Sequence, residues 1–117
     1  MSSSAVGLSH VHVPVSDVER AVRFYVEAFG LEERYRADSG IVYLRIPGSA
    51  DHVALRYDAD ARERANRFGF TLSDPGEADS VVRRVLSLGG SLLRRRQLAP
   101  GVVDLVVADP DGNVISL

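Results

Sequence analysis

The sequence predicts an α+β domain built from two tandem βαβββ modules, and three observations carry that prediction. In LSHVHVPVSD the apolar residues alternate with polar ones, the period of a strand, and the residues that follow switch to the period of a helix. The same switch recurs in the second half, after FGFTLSD. Each helix is then followed by three short strand-like runs broken by Gly- and Pro-containing turns, so one unit is written twice.

In the first strand Val11, Val13 and Val15 alternate with His10, His12 and Pro14. Ser16-Asp17-Val18-Glu19 matches a capping box, in which the serine and glutamate side chains satisfy the free amides of a helix start. Val18, Ala21, Val22, Tyr25 and Phe29 fall on one helical face, and Gly30 is the expected stop. LEERYRA, GIVYLRI and DHVALRYD then read as strands.

The second module opens with FGFTLSD. Asp74 stands three residues before Glu77, and Ala78, Val81, Val82, Val85 and Leu88 form the apolar stripe of a second helix ended by Gly89-Gly90. SLLRRRQL, VVDLVVAD and NVISL follow, separated by Ala99-Pro100-Gly101 and by the turn Asp109-Pro110-Asp111-Gly112. Module one covers about 7–58 and module two about 67–117, with a linker at about 59–66.

Bulk properties narrow the function. The 117 residues suit one domain, and 45% hydrophobic with 26% charged residues is an ordinary globular balance. A net charge of −2 gives no broad basic field, so no nucleic-acid partner is expected. In Arg94-Arg95-Arg96, neighbouring strand residues point to opposite faces, which suits a guarded sheet edge better than a phosphate-binding patch. With no cysteine there is neither a disulfide framework nor a thiolate metal site. No apolar run reaches membrane-spanning length, and Met1-Ser2-Ser3-Ser4 lacks a signal-peptide core, so the expected location is the cytoplasm.

The stretch SHVHVPVSDVERAVRFYVEAFGLEE at one end and DPDGNVISL at the other, in a duplicated unit of this order, resembles the vicinal-oxygen-chelate superfamily of glyoxalases, extradiol dioxygenases and bleomycin-resistance proteins. The resemblance runs over nearly the whole chain. It implies a curved, incomplete barrel-like sheet around a cleft. In metal-using members it also implies ligands on the first and fourth strands of module one and the first and last strands of module two. Those positions fall here on His10, Ala54, Arg67 and Ser116. Only His10 keeps a donor suited to a divalent ion; a serine hydroxyl is a poor ligand and a guanidinium repels a cation. The expectation is therefore no metal and no cofactor.

Strand alternation puts His10, His12, His52, Ala54 and Arg56 on one face of module one. Arg67, Gly69, Asp104, Val114 and Ser116 take the matching face of module two. The candidate ligand-binding residues are thus His10, His12, His52, Arg56, Arg67, Asp104 and Ser116, with His10 also the candidate catalytic group. Plainer roles stand beside each: a strand histidine is commonly structural, Asp104 commonly pairs with a nearby arginine, and Ser116 commonly fills space.

The leading expectation is a protein of the bleomycin-resistance type that sequesters a small organic ligand, anionic or aromatic, using Arg67 as an anion fork. Tyr43, Tyr57 and either Phe68 or Phe70 would supply stacking surfaces. The alternative is an enzyme: an acid/base isomerase or cyclase with His10 moving a proton, or a metal-dependent lyase or dioxygenase using His10, His12 and His52. Exposed sheet edges predict a homodimer.

Overall fold

The structure, a computed structural model, describes residues 4–117. Each module forms its own four-stranded mixed sheet with one helix packed on one face. Module one comprises β1 (His10–Val15), α1 (Val18–Phe29), β2 (Glu32–Arg36), β3 (Val42–Arg45) and β4 (His52–Tyr57). Module two repeats the order with β5 (Arg67–Gly69), α2 (Ala78–Ser87), β6 (Ser91–Ala99), β7 (Val102–Ala108) and β8 (Val114–Ser116). The sheets run β1-β4-β3-β2 and β5-β8-β7-β6, and in both the first strand lies parallel to the last. The expected incomplete barrel is thus present as two open sheets, with no hydrogen-bonded strand pairing between them among the described residues.

Side chains close the seam instead. Asn66 Nδ2 donates to the His12 carbonyl at 2.8 Å, and Asn113 Nδ2 donates to the Pro14 carbonyl at 2.9 Å. Asn113 Oδ1 in turn accepts from the Asn66 amide at 2.7 Å. Both carbonyls lie on the edge of β1, so the start of module two is held beside the first strand of module one.

α1 forms because its apolar residues fall on one face, and it buries Ala21, Phe24, Tyr25 and Ala28. Its cap differs from the capping box: Asp17, not Ser16, is the N-cap, accepting from the Arg20 amide at 3.0 Å. Ser16 is drawn away because its hydroxyl donates to Asp111 Oδ1 at 2.6 Å. Gly30 ends the helix at φ +76°, a left-handed conformation that glycine adopts without strain. α2 follows a short 3₁₀ turn at Pro75–Glu77, where Asp74 accepts from the Gly76 amide, and it buries Ala78, Val81, Val82 and Val85. The helices meet where Arg84 Nε donates to the Ala28 carbonyl at 3.1 Å.

One hydrophobic core spans both modules. Val13, Val15, Val53 and Leu55 supply it from the first sheet, and Leu105, Val107 and Ile115 from the second. In the first sheet these residues alternate with His12, His52 and Arg56, so its opposite face carries the histidines; in the second the alternate positions are Asp104, Val106, Val114 and Ser116.

Candidate functional site

Strand register fixes which side chains share that face. In the first sheet His10 pairs with His52, His52 with Arg45, and Arg45 with Glu32, forming one row. The next row is His12, Ala54, Tyr43 and Tyr35. In the second sheet Arg67 pairs with Val114, and Gly69 with Ser116.

The imidazoles of His10 and His12 are in direct contact. His10 Nε2 lies 3.2 Å from His12 Nε2, and His10 Nδ1 lies 2.7 Å from the Ser9 hydroxyl, so three side chains form one hydrogen-bonded chain. His10 also meets the Tyr43 ring edge-on at 5.9 Å, and Tyr43 lies 6.0 Å from Tyr35. His12 titrates below the usual histidine range because burial disfavours its charged form; the neighbouring His10 and Arg56 push the same way. His52 is oriented by its own loop, since the Ala50 carbonyl only accepts and must take the proton of Nδ1 at 2.9 Å.

Two cavities flank these rings. One, of about 410 Å³, is lined by Ser9, His10, Arg34, Tyr35, Tyr43 and His52. The other, of about 430 Å³, sits at the seam and brings His10 and His52 against Arg67, Phe68 and Phe70. His10 and His52 line both cavities, the first beside Arg34 and two tyrosine rings, the second beside Arg67 and two phenylalanine rings. The Arg67 side chain makes no hydrogen bond or ion pair among the described residues, so its five donors are free to meet a ligand.

The other candidates stand apart from these cavities. Arg56 is exposed farther along β4, where its charge acts on His12. Asp104 is held by its own sheet: Arg94 Nε and Arg96 Nε donate to Oδ2 at 2.7 and 3.0 Å, and these bonds keep its carboxyl below the usual range. Arg95 points to the opposite face and pairs with Asp79, so the arginine run divides between two faces as its strand period predicts. Ser116 lies behind Gly69, where a Cβ would come 3.1 Å from the Ser116 carbonyl oxygen. Tyr57 belongs to the row of Val15, on the face opposite Tyr43, and is 63% exposed; it is not a stacking surface for this site.

Tyr35 and Arg34 are lining residues that period-2 reading does not find. Glu33 pairs with Leu44 on the core-facing side, and strict alternation would put Tyr35 there too. A register shift between Glu33 and Tyr35 instead sets Tyr35 against Tyr43 and leaves Arg34 at the irregularity.

This arrangement of two four-stranded βαβββ sheets, joined along β1 by Asn66 and Asn113, agrees with a family model. The Glyoxalase/Bleomycin resistance protein/Dioxygenase superfamily model matches residues 7–117. The chain belongs to that superfamily. It is 26% identical over 116 residues to the metallothiol transferase FosB of Shouchella clausii, covering 95% of this chain and 78% of that protein. The fosfomycin resistance protein FosX of Mesorhizobium loti is 27% identical, with a TM-score of 0.77 over 97% of this chain and 91% of its own. A FosX variant from Listeria monocytogenes, solved with manganese(II) and a dihydroxypropylphosphonic acid, superposes with a TM-score of 0.79 at 23% identity, over 97% and 89% of the two chains.

The superfamily's metal arrangement can be tested against the donors present. His10 supplies an imidazole, but its counterparts across the seam are the guanidinium of Arg67 and the hydroxyl of Ser116, and on β4 the methyl of Ala54. A fixed cation in place of a ligand opposes a bound divalent ion, and hydroxyl and methyl groups offer no anionic donor. Among the described residues no group of three His, Asp or Glu converges on one point. These residues do not fit that metal arrangement.

Proposed function

We propose that this superfamily member binds a small organic ligand carrying an anionic or phenolic group, without using the metal arrangement of its metal-dependent relatives. The observation that carries the reading is the seam cavity, where the unpaired guanidinium of Arg67 stands against His10, His52, Phe68 and Phe70. A planar fork of donors beside apolar rings suits a carboxylate, phosphonate or phenolate on a compact carbon skeleton. The fosfomycin-resistance relatives support the class of ligand in one respect: one of them was solved with a small phosphonic acid.

The test is calorimetric titration with a panel of aromatic carboxylates, phenols and small phosphonates. For any that binds, Arg67→Ala should weaken affinity by about one to two decades, the worth of a charge-assisted hydrogen bond of roughly 1.5–3 kcal/mol. Equal affinity in the variant would remove Arg67 from the site. Purified protein should also carry well below one equivalent of Zn, Fe, Mn or Ni; a full equivalent lost on His10→Ala would defeat the metal-independent reading.

A second reading is favoured by the Ser9–His10–His12 chain. An imidazole relayed to a second one can accept a proton from a bound acid while Arg67 stabilises the anion, which suits isomerisation or ring closure. Ligand returned altered, with turnover abolished but affinity kept in His10→Ala, would select this reading over sequestration.

The proposed assembly is a homodimer. β6 ends its sheet with an open edge, all nine of its residues are exposed, and Leu92, Leu93 and Leu98 stand out from it beside Val102 of β7.

A further inference from the structure

All 14 basic side chains of this protein are arginines, and most have a partner. Seven of them pair with carboxylates, and Arg62 and Arg84 donate to backbone carbonyls. Arg23, Arg34, Arg56, Arg67 and Arg83 make no hydrogen bond or ion pair among the described residues. Arg23 and Arg83 lie on the two helices. The other three surround the histidines: Arg34 lines the cavity of Tyr35 and Tyr43, Arg67 lines the seam cavity, and the charge of Arg56 acts on His12. Asp51 is the carboxylate lining these cavities, and it already accepts from the Ser49 hydroxyl at 2.8 Å. In a chain of net charge −2, guanidinium groups left uncompensated around one site favour a ligand with more than one negative charge.

The placement of two of these groups narrows the ligand further. The two cavities share His10 and His52, and each sets a free guanidinium beside a pair of rings. Arg34 stands with Tyr35 and Tyr43, whose centroids are 6.0 Å apart, and Arg67 with Phe68 and Phe70, at 5.4 Å. In the order β1-β4-β3-β2, Arg34 lies three strand spacings from β1, roughly 14 Å at about 4.8 Å each. Arg67 lies beyond β1, on β5 across the seam. A single carboxylate is too small to meet both. We infer that the ligand is an elongated aromatic diacid, with one acidic group on Arg67 and the other on Arg34. Its flat centre passes the His10 and His52 rings. The inference rests on the ligand-binding reading above and adds a second anchor to it; that reading stands without Arg34.

The experiment is calorimetric titration of the full chain with matched acids: benzoate against terephthalate, and biphenyl monocarboxylate against biphenyl dicarboxylate with one carboxylate on each ring. Salt is held at about 0.15 M, where exposed charges more than about 8 Å away are screened. The biphenyl diacid should bind about tenfold or more tighter than its monoacid, the return of a second charge-assisted hydrogen bond. The shorter terephthalate should gain less over benzoate. Arg34→Ala should bring the biphenyl diacid down to the affinity of the monoacid, whereas Arg67→Ala should weaken both. Arg34 is exposed and unpaired, so its replacement leaves the core intact. Arg83→Ala removes an equally exposed, unpaired charge from α2 and should change neither. A monoacid that depends on Arg67 but gains nothing from a second carboxylate would overturn the two-anchor site alone. So would a loss in Arg83→Ala as large as in Arg34→Ala, because overall charge would then account for it. If no acid of the set binds, the ligand-binding reading falls and this inference falls with it.

Discussion

Asp109 is 3% exposed and accepts four hydrogen bonds: from Tyr25 Oη at 2.7 Å, Asn113 Nδ2 at 2.9 Å, and the amides of Asp111 and Asn113 at 2.9 Å each. Burial pushes its carboxyl above the ordinary range, and the four donors offset part of that rise. The folded chain therefore holds the Asp109 proton to higher pH than the unfolded chain does. Where the fold binds more protons, stability falls as pH rises. This contribution is fully present below the unfolded carboxylate pKa of about 4 and is lost as pH climbs through the folded value. Asp58 and Asp104, both lowered by arginine partners, act in the opposite sense and only as pH drops below that range. In urea denaturation above about pH 4, the parent should lose stability relative to Asp109→Asn until Asp109 is ionised. Parallel stability curves for the two proteins would refute the assignment.

At the scale of elements, the turn from α2 into β6 is set by close approach as well as by helix ending. A Cβ on Gly90 would stand 2.5 Å from the Ala108 carbonyl oxygen, 2.7 Å from Val85 Cγ1 and 2.9 Å from the Phe24 ring. The first of these is backbone in the neighbouring strand and cannot rotate away. Gly90→Ala should therefore destabilise by about 1–3 kcal/mol, the usual cost of overpacking, with a lower thermal midpoint. A variant as stable as the parent would show that the strand shifts freely. The β6–β7 hairpin that follows is held by its own ladder, by the Asp104 arginine pairs and by Arg95 reaching Asp79 of α2.

For the whole molecule, the shape is a plate of 46 × 44 × 24 Å, with one core shared by both modules. Helices cover one face of each sheet; the faces bearing His10 and Arg67, and the open edge of β6, are left uncovered. A second copy would cover that edge and its leucines. Light scattering across micromolar concentrations should give twice the 12.7 kDa chain mass, and replacing Leu93 and Leu98 with Glu should shift the population to monomer. A monomer throughout for the parent would refute the dimer.

Much of this was determined by the sequence alone. Periodicity marks both modules, each helical stripe and the face carrying all three histidines, because alternation within one element depends only on local backbone geometry. Gly30 and Gly89 mark helix ends for the same local reason, both at positive φ. Tertiary structure decided the rest. Asp109-Pro110-Asp111-Gly112-Asn113 reads locally as a turn, yet its side chains reach Tyr25, Ser16 and the Pro14 carbonyl and lock the modules together. Nothing in the turn's own composition names partners more than eighty residues away in the chain. Tyr35 reaches the cleft because a strand irregularity reverses its parity, and Ser16 gives up its cap because Asp111 arrives beside it. Such outcomes depend on which edges and loops meet in space, and that is settled by packing over the whole chain.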